Sequence, residues 1–574
     1  MIEQVVDLVV RNGTVIDGSG GEPFTADIAV QNGKIVAIGK VHSKGHTEID
    51  AKGKMVTPGF IDIHTHYDGQ ITWENTLNPS SGHGVTTVVM GNCGVGFAPA
   101  APHQRELIMK LMEGVEDVPM ETMAEGIPWN WETFPEYLDA LDQRQADIDF
   151  IAQLPHNPLR VYVMGERGAN GEPATEEDLA TMRRLTKEAI QAGAFGVSTT
   201  RNHAHRFRDG RLAPSVTADE REIMALADGL GDAGTGVFEL LCDAQQTAEE
   251  QVGFLREIAD HCQRPITFSL LKSVDQPDAW RKVAASLNDL AAEGYKIQGQ
   301  IIPRPVGILI GLNISLHPFA FHPSFRKIEH LPLAEKVAAM RDLDFRKQLL
   351  SEQADDPHDY FKTVVEDTNW LFPLGDPPNY HPAMADSIAG RARALGLDPM
   401  EVIYDELLKD NGHALLYRPS ANRDGDLFEG VGELLLHCDH TVLGLGDGGA
   451  HYSMVCDAAY PTYFLTHWVD HADPKKNVPL PQAIKKLTSD PANAIGLDDR
   501  GRLQVGLKAD LNIIDLEQLS LHAPRVAFDL PASGRRLIQK ADGYVATIVA
   551  GEITYRDGQA TGNFPGRLVR ANAR

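Results

Sequence analysis

The stretch TPGFIDIHTHYDG, residues 57–69, is the most informative part of this sequence. Its apolar residues Phe60, Ile61 and Ile63 are typical of a strand that is buried on both faces. Because residues two apart on a strand point to the same side, His64 and His66 are expected to lie together where the strand ends. Enzymes built from alternating strands and helices keep their chemistry at that end. The stretch therefore predicts a metal-binding pair of histidines.

Composition and charge restrict the classes of protein to which the chain can belong. It has 574 residues, 43% hydrophobic and 23% charged, which is enough for a large core. The net charge of -27 argues against nucleic-acid and membrane partners, since anionic surfaces would repel the chain. No apolar run could span a bilayer and MIEQVVDLVV is not a basic leader, so a cytoplasmic location is expected. Five scattered cysteines without CxxC spacing argue against disulfides and a structural zinc knot.

Three compositional zones divide the chain. Residues 1–57 and 500–574 contain short strand-like runs separated by glycine-rich turns, and we expect them to form one composite sheet domain. In residues 58–499, apolar runs alternate with helical stretches, which predicts βα units and a parallel sheet. The predicted strands are 57–64, 85–91, 148–154, 194–199, 235–241, 265–271, 295–301 and 441–447. Eight such strands would close a barrel, with residues 302–440 as an insertion or lid.

Five segments in a fixed order resemble a known family. They are RNGTVIDGSG followed by DIAVQNGKIVAIG, TPGFIDIHTHYDG, HGVTTVVMGNCGVGFAP at 83–99, AGAFGVSTT at 192–200 and LTSDPANAIGLDDRGRLQVGLKADL at 487–511. On these segments the chain is identified as a member of the amidohydrolase superfamily, and it resembles the branch of N-acyl-D-amino-acid deacylases, or D-aminoacylases. The resemblance implies an α/β fold, a distorted TIM (β/α)8 barrel with a small β-sandwich domain composed of both termini.

The resemblance also implies a set of metal ligands. In the family, an HxH pair on strand one, a cysteine after strand two, histidines ending strands five and six and an aspartate ending strand eight surround one or two zinc ions. His64, His66, Cys93 and Asp447 match four of these positions. Asp447, in GLGDGG, is thereby predicted both to bind metal and to act as the catalytic general base and acid.

Two of the usual metal histidines are replaced in this chain. Strand five ends in FELL with Glu239 at the histidine position, and strand six ends in SLLK with Leu270 there. Because a catalytic zinc site needs three protein ligands and an open position, a mononuclear centre is still expected, holding one Zn²⁺ or another divalent ion per chain. Glu239 is a candidate further ligand or an acid paired with a base. Cys93 is a candidate ligand or a small buried residue at a turn.

Further candidates follow the C-terminal ends of other predicted strands, where the loops of such folds carry function. His156 in LPHNPLR, the group Arg201, His203 and His205 in TTRNHAHR, and His451 in GDGGAHYSM are predicted to contact the substrate. The group is also a candidate source of a substitute metal ligand. Packing would equally explain His156. A solvated position at the surface would explain the group Arg201, His203 and His205, and the start of a helix would explain His451.

The sequence thus predicts a metal-dependent amidohydrolase that cleaves a non-peptide C–N bond in a small-molecule amide. The family binds the substrate carboxylate with an arginine in an HPRxYGTF-like segment, whereas this chain has HYSMVCDAAYPTYFLTHW. The identity of the substrate therefore stays open. A deaminase-like or lyase-like reaction on the same barrel and a catalytically inactive scaffold are the alternatives. Whether the chain forms a homo-oligomer also stays open.

Overall fold

Short parallel strands and the helices between them form the middle of the chain. The computed structural model describes residues 5–273, 276–355, 367–423, 429–471 and 473–571. The first three strands form one sheet, and the other five form a second sheet that begins with Leu154–Pro155. Neighbours within both sheets are parallel and follow chain order. Each strand overlaps one of the eight predicted positions: Phe60–Asp62, Val85–Met90, Asp149–Ala152, Gly196–Thr200, Val237–Leu241, Ile266–Ser269, Ile297–Ile301 and Thr441–Leu443.

Backbone hydrogen bonds join the segments that follow the first and the eighth parallel strands. The amide of His66 donates to the carbonyl of Gly448 over 2.8 Å, and the amide of Asp447 donates to the carbonyl of His64 over 3.1 Å. The loops after these two strands therefore meet at one edge. Residues distant in the sequence are placed side by side there.

All six residues of Val85–Met90 are buried, as is usual for a parallel strand covered on both faces. Helix Glu176–Ala192 shows the usual boundaries, because the Thr175 side chain accepts from an amide of the first turn and Gly193 ends the helix with φ of 119°. Within the described ranges, no helix has the length and apolar character needed to cross a membrane. The helices of this part are Gln70–Trp73, Arg105–Glu116, Met120–Gly126, Phe134–Asp142, His156–Met164, Glu166–Ala169, Glu176–Ala192, Glu220–Ala233, Ala248–Cys262, Ala279–Ala292, Tyr460–His467, Leu480–Leu487 and Ser489–Ala494.

Strands from both ends of the chain share one nine-stranded sheet. Strand Met55–Pro58 pairs with Leu511–Ile514 and so connects the N-terminal strands to the C-terminal ones. Two small hairpin-like pairs, Ser520–Leu521 with Ala541–Asp542 and Arg525–Leu530 with Gly534–Ile538, lie between the C-terminal strands in sequence. The nine strands are Val5–Val15, Phe24–Gln31, Lys34–Gly39, Lys44–Asp50, Met55–Pro58, Leu511–Ile514, Tyr544–Val549, Glu552–Arg556 and Gln559–Ala560.

A buried cluster of charges links the third parallel strand to the C-terminal segment. Asp149 accepts hydrogen bonds from Arg500 and from Lys508, the latter over 2.5 Å, and Lys508 also pairs with Asp510 over 3.1 Å. Burial alone would raise the pKa of Asp149, but the two cations lower it to about 2. The carboxylate is therefore ionised and paired at neutral pH.

The segment between the seventh and eighth parallel strands has its own apolar core. Three short strands, Val306–Ile310, Phe372–Pro373 and Leu416–Ala421, form an antiparallel sheet. The amide of Leu309 donates to the carbonyl of Met454 over 2.7 Å, so this segment contacts the loop after the eighth strand. The predicted insertion at 302–440 also includes residues 356–366 and 424–428, which lie outside the described residues. Its helices are Pro323–Arg326, Leu333–Met340, Leu343–Ser351, Ile388–Leu395, Pro399–Leu407 and Val431–His437.

Candidate metal centre

Two histidines and a cysteine form a buried cluster at the edge where strands one and two end. Ligand atoms of His64, His66 and Cys93 all lie within 4.8 Å of one another. The Cys93 thiol is 3.3 Å from His64 Nε2. Cys93 occupies a left-handed turn with φ of 53°, directly before Gly94. The turn after strand two thus directs a thiol toward the histidines that end strand one.

The Asp447 carboxylate completes the cluster from the loop after strand eight. Its Oδ1 atom lies 3.6 Å from His64 Nε2 and 3.7 Å from His66 Nε2. Asp447 is held in a left-handed conformation with φ of 48°. Burial would raise the pKa of this carboxyl, but interaction with the two histidines lowers it well below its usual range. The side chain is 21% exposed and is therefore the accessible member of the cluster.

The donor atoms fit a tetrahedral metal site. With Zn–N bonds of about 2.0–2.1 Å and Zn–S bonds of about 2.3 Å, neighbouring ligand atoms of a tetrahedral zinc ion lie roughly 3.3–3.6 Å apart. The separations of 3.3 Å between Cys93 and His64, and of 3.6 and 3.7 Å between Asp447 and the two histidines, are close to these values. Imidazole, thiolate and carboxylate are the ligand types that zinc prefers. His64, His66 and Cys93 can therefore hold one divalent ion, with the Asp447 carboxylate beside the two histidines.

Gln300 fixes the orientation of His64. The Gln300 side-chain amide donates to Thr267 over 3.0 Å, so its carbonyl oxygen faces His64 Nδ1 at 2.6 Å as an acceptor. The His64 ring then carries its proton on Nδ1 and presents an unprotonated Nε2 to the cluster. Burial lowers the pKa of His64 to about 4, which keeps the ring neutral.

Glu239 and Leu270 occupy the two positions where the family carries metal-binding histidines, and they differ in the atoms that they offer to the site. Glu239 is buried at strand five, with one oxygen accepting from the amide of Cys93 over 2.9 Å and the other 3.8 Å from His64 Nδ1. Burial raises its pKa to about 8. Glu239 thus supports the Cys93 turn. Leu270 is buried against Gly299 and brings no ligand atom.

One carboxylate of this site carries no sequence motif. Glu116, the last residue of helix Arg105–Glu116, has Oε1 at 3.7 Å from His66 Nδ1 and Oε2 at 3.4 Å from His451 Nε2. The carbonyl of Glu116 also accepts a hydrogen bond from the amide of His451. The sequence feature that could have pointed to Glu116 is its place directly after Val115, on the apolar face of an amphipathic helix.

His451 and His205 both interact with Glu116. The His451 side chain is 23% exposed, so it lies at the opening of the cluster. His205 is half-buried, its Nδ1 atom lacks a hydrogen-bond partner among the described residues, and it interacts electrostatically with Glu116 and His451. Burial lowers the pKa of His205 to about 4. The structure thus brings these two predicted substrate contacts close to the candidate metal site.

The other predicted substrate contacts are engaged elsewhere. Both ring nitrogens of His156 have partners, Thr199 at 2.8 Å and Glu222 at 2.7 Å, and the side chain is fully buried. Arg201 donates to the carbonyl of Ala218. His203 is exposed and lies 3.3 Å from Asp243. His156, Arg201 and His203 contribute no atom to the cluster around His64.

The fold and this cluster define a metal-dependent hydrolase. The sequence model of the Amidohydrolase family matches residues 47–555, and the chain belongs to that family. It is a hydrolase of carbon–nitrogen bonds other than peptide bonds, as the sequence predicted.

Relatives agree with the predicted D-aminoacylase-like branch. A D-aminoacylase of Alcaligenes xylosoxydans xylosoxydans is 26% identical over 99% of both chains. The structure of N-acyl-D-glutamate deacylase from Bordetella bronchiseptica, complexed with zinc and a phosphonate inhibitor, has a TM-score of 0.65 at 22% identity, covering 99% of this chain and all of that one. A D-aminoacylase structure, described as having a binuclear metal centre with one-metal activation and second-metal attenuation, has a TM-score of 0.64 at 23% identity, covering 98% of this chain and all of that one.

Proposed function

We propose that the protein hydrolyses the amide bond of a small molecule of the N-acyl-D-amino-acid type, with one divalent ion and with Asp447 as general base and acid. One observation carries the proposal. The Asp447 Oδ1 atom lies 3.6 and 3.7 Å from the Nε2 atoms of His64 and His66, and its side chain is partly exposed. The D-aminoacylase relative and the inhibitor-bound deacylase structure support amide hydrolysis as the reaction.

The architecture belongs to the same proposal. We propose that the parallel strands of residues 58–499 close into a (β/α)8 barrel and that residues 1–57 and 500–574 form a separate composite β-sandwich domain. The hydrogen bonds from His66 to Gly448 and from Asp447 to His64 support closure, since they join the segments after strands one and eight. Closure would bring the ligands from strands one, two and eight around one axis.

A single ion per chain, most simply Zn²⁺, follows from the inventory of ligands. His64, His66 and Cys93 form one group of donors and Asp447 lies beside its two histidines, whereas Leu270 contributes no donor. One Glu239 oxygen is already engaged by the amide of Cys93. The D-aminoacylase structure has a metal centre described as binuclear, with one-metal activation and second-metal attenuation, which supports activity with one bound ion.

The proposed reaction assigns the proton transfers to Asp447. When bound, the divalent ion polarises the scissile carbonyl and lowers the pKa of a water molecule from about 15.7 toward 7. Because its pKa is held well below the usual range, the Asp447 carboxylate is ionised at neutral pH and can accept a proton from the attacking water. It returns that proton to the amide nitrogen as the C–N bond breaks. One water molecule thereby converts the amide into a carboxylic acid and an amine.

His451 and His205 are the proposed substrate contacts. His451 lies at the opening, 3.4 Å from Glu116, and His205 interacts electrostatically with both. A substrate entering past Asp447 would meet these two imidazoles first. Arg201, His203 and His156 have partners outside the cluster.

The test combines metal analysis with an activity screen. Protein purified without chelator is expected to contain about one divalent ion per chain and to release amine from N-acyl-D-amino acids. Asp447→Asn is expected to lower kcat by about 10² to 10⁴, because a proton-transferring carboxylate is lost. Asp439→Asn, at an exposed aspartate, is the matched control and should keep full activity. An Asp447→Asn variant as active as wild type, or a wild type without metal after reloading, would contradict the proposal.

A further inference from the structure

The buried carboxylate of Glu116 connects the candidate metal site to His451 at the opening of that site. The Glu116 side chain is only 2% exposed and lies between two imidazoles, with one oxygen toward His66 and the other toward His451. A buried carboxylate is costly unless it is paired or hydrogen-bonded. Its Oε2 atom nevertheless has no hydrogen-bond partner in the part of the chain that the structure describes. The imidazoles of His66 and His451 are thus the groups placed to pair with the Glu116 carboxylate.

The His66 ring requires an acceptor on the side where Glu116 lies. His66 Nε2 faces Asp447 at 3.7 Å, whereas Nδ1 faces Glu116 Oε1 at 3.7 Å and has no hydrogen-bond partner among the described residues. A neutral imidazole that presents Nε2 to a metal carries its proton on Nδ1. Metal-binding histidines usually donate that proton to a carboxylate, a carbonyl or water. Approach by roughly 0.8 Å would give the Nδ1–Glu116 pair a normal hydrogen-bond length.

We infer that Glu116 is a positioning residue, which accepts the Nδ1 proton of His66 and, through its second oxygen, holds His451 at the opening. The inference rests on the proposed function, because it concerns how the ligand set of that site is oriented. It assigns Glu116 neither contact with the substrate nor a bond to the metal. It links the end of helix Arg105–Glu116, which follows strand two, to the loop after strand eight that carries His451.

Backbone contacts show that Glu116 is held where this role requires. Its carbonyl accepts from the amide of His451, so the two residues are joined through the backbone as well as through side chains. The next residue, Asp117, is left-handed with φ of 51° and ends the helix. Asp117 accepts from Ser315 over 3.1 Å and from the amide of Ser453 over 3.2 Å. The neighbouring acid therefore has its own partners.

The experiment compares the zinc affinity of wild type, Glu116→Gln and Glu116→Ala by competition with a chelator. We expect Kd for zinc to rise about 10- to 100-fold in both variants, as for other outer partners of metal-binding histidines. Glu121→Gln, at an exposed glutamate one helix further on, is the control and should bind within twofold of wild type. Glu116→Gln with wild-type affinity would overturn the inference. Complete loss of zinc at saturating concentrations would also overturn it, by making Glu116 a ligand.

A second measurement on wild type stands even if the variants fold poorly. In zinc-loaded protein with ¹⁵N-labelled histidine, the His66 signal, assigned with His66→Gln, should show a protonated Nδ1 and a metal-bound Nε2. The reverse arrangement would exclude Glu116 as the acceptor. Affinity and tautomer are measured without substrate. If no amide is hydrolysed while Glu116→Gln loses zinc affinity, the proposed function fails and the positioning role stands.

Discussion

Individual residues show where a motif predicts function and where it predicts only position. His64, His66, Cys93 and Asp447 meet because they follow the C-terminal ends of parallel strands, which lie at one edge. His156 also follows such a strand end, yet its ring is enclosed by Thr199 and Glu222. Burial lowers the pKa of His156, so the neutral ring donates to Glu222 and accepts from Thr199. Its position was predictable, whereas its partners Thr199 and Glu222 come from strand Gly196–Thr200 and helix Glu220–Ala233.

His156→Ala is therefore expected to reduce stability and to leave metal binding unchanged. The variant removes one partner of the buried Glu222 carboxylate, although Arg160 remains paired with it. We expect the free energy of unfolding in urea to fall by about 3 kcal/mol, as when a buried pair is broken. Zinc affinity should match that of wild type, and His103→Ala, at an exposed histidine, should change neither quantity. Weaker zinc binding with unchanged stability would instead place His156 in the functional site.

Among the elements, the loop after strand eight controls the geometry of the cluster. At Gly446, an added Cβ would lie 2.0 Å from Asp62 Oδ2. The other oxygen of Asp62 accepts from the amide of His64 over 3.1 Å. The lack of a side chain at Gly446 thus lets strand one, which carries the histidines, pack against the loop that carries Asp447.

Gly446→Ala is expected to weaken metal binding without touching a ligand. The new methyl group must displace Asp62, and overpacking of this kind costs about 1–3 kcal/mol of folding free energy. Because Asp62 holds the His64 backbone, zinc affinity measured by chelator competition should fall in parallel. Gly253→Ala, at a helical glycine with open space around it, should instead be stabilising by roughly 0.5–1 kcal/mol. Wild-type zinc affinity in Gly446→Ala would show that the loop tolerates the displacement.

For the whole molecule, the strand positions, the connection of the termini and the clustering of His64, His66, Cys93 and Asp447 could be predicted from the sequence, because motifs and apolar runs record them locally. Glu116 could not, because it lies in an ordinary amphipathic helix and acts only through neighbours supplied by distant loops. The pairing of Arg500 with Asp149 likewise depends on how the C-terminal segment packs against the third parallel strand. Such contacts become visible only when the chain is folded.

Arg500→Met is expected to destabilise the molecule in a pH-dependent way. Asp149 would keep Lys508 but lose its second cation, which should cost about 3 kcal/mol at neutral pH. Because the pKa of Asp149 is lowered to about 2, its stabilisation is complete above the unfolded value near 3.8 and is lost as the pH falls toward 2. The difference in unfolding free energy between wild type and variant should therefore shrink between about pH 4 and pH 2. Arg502→Met is the exposed control, and a difference independent of pH would contradict this account.

The distribution of the ligands along the chain has a consequence for biosynthesis. His64, His66 and Cys93 leave the ribosome early, whereas Asp447 follows only after the long segment that precedes strand eight. At about 5–20 residues per second, translation separates the first ligand from the last by roughly 20 to 80 s. During that interval a nascent chain can offer a metal ion only two imidazoles and a thiol. The proposed general base therefore joins the three earlier donors only after residue 447 has been synthesised, so the nascent chain can hold an ion before it can use one.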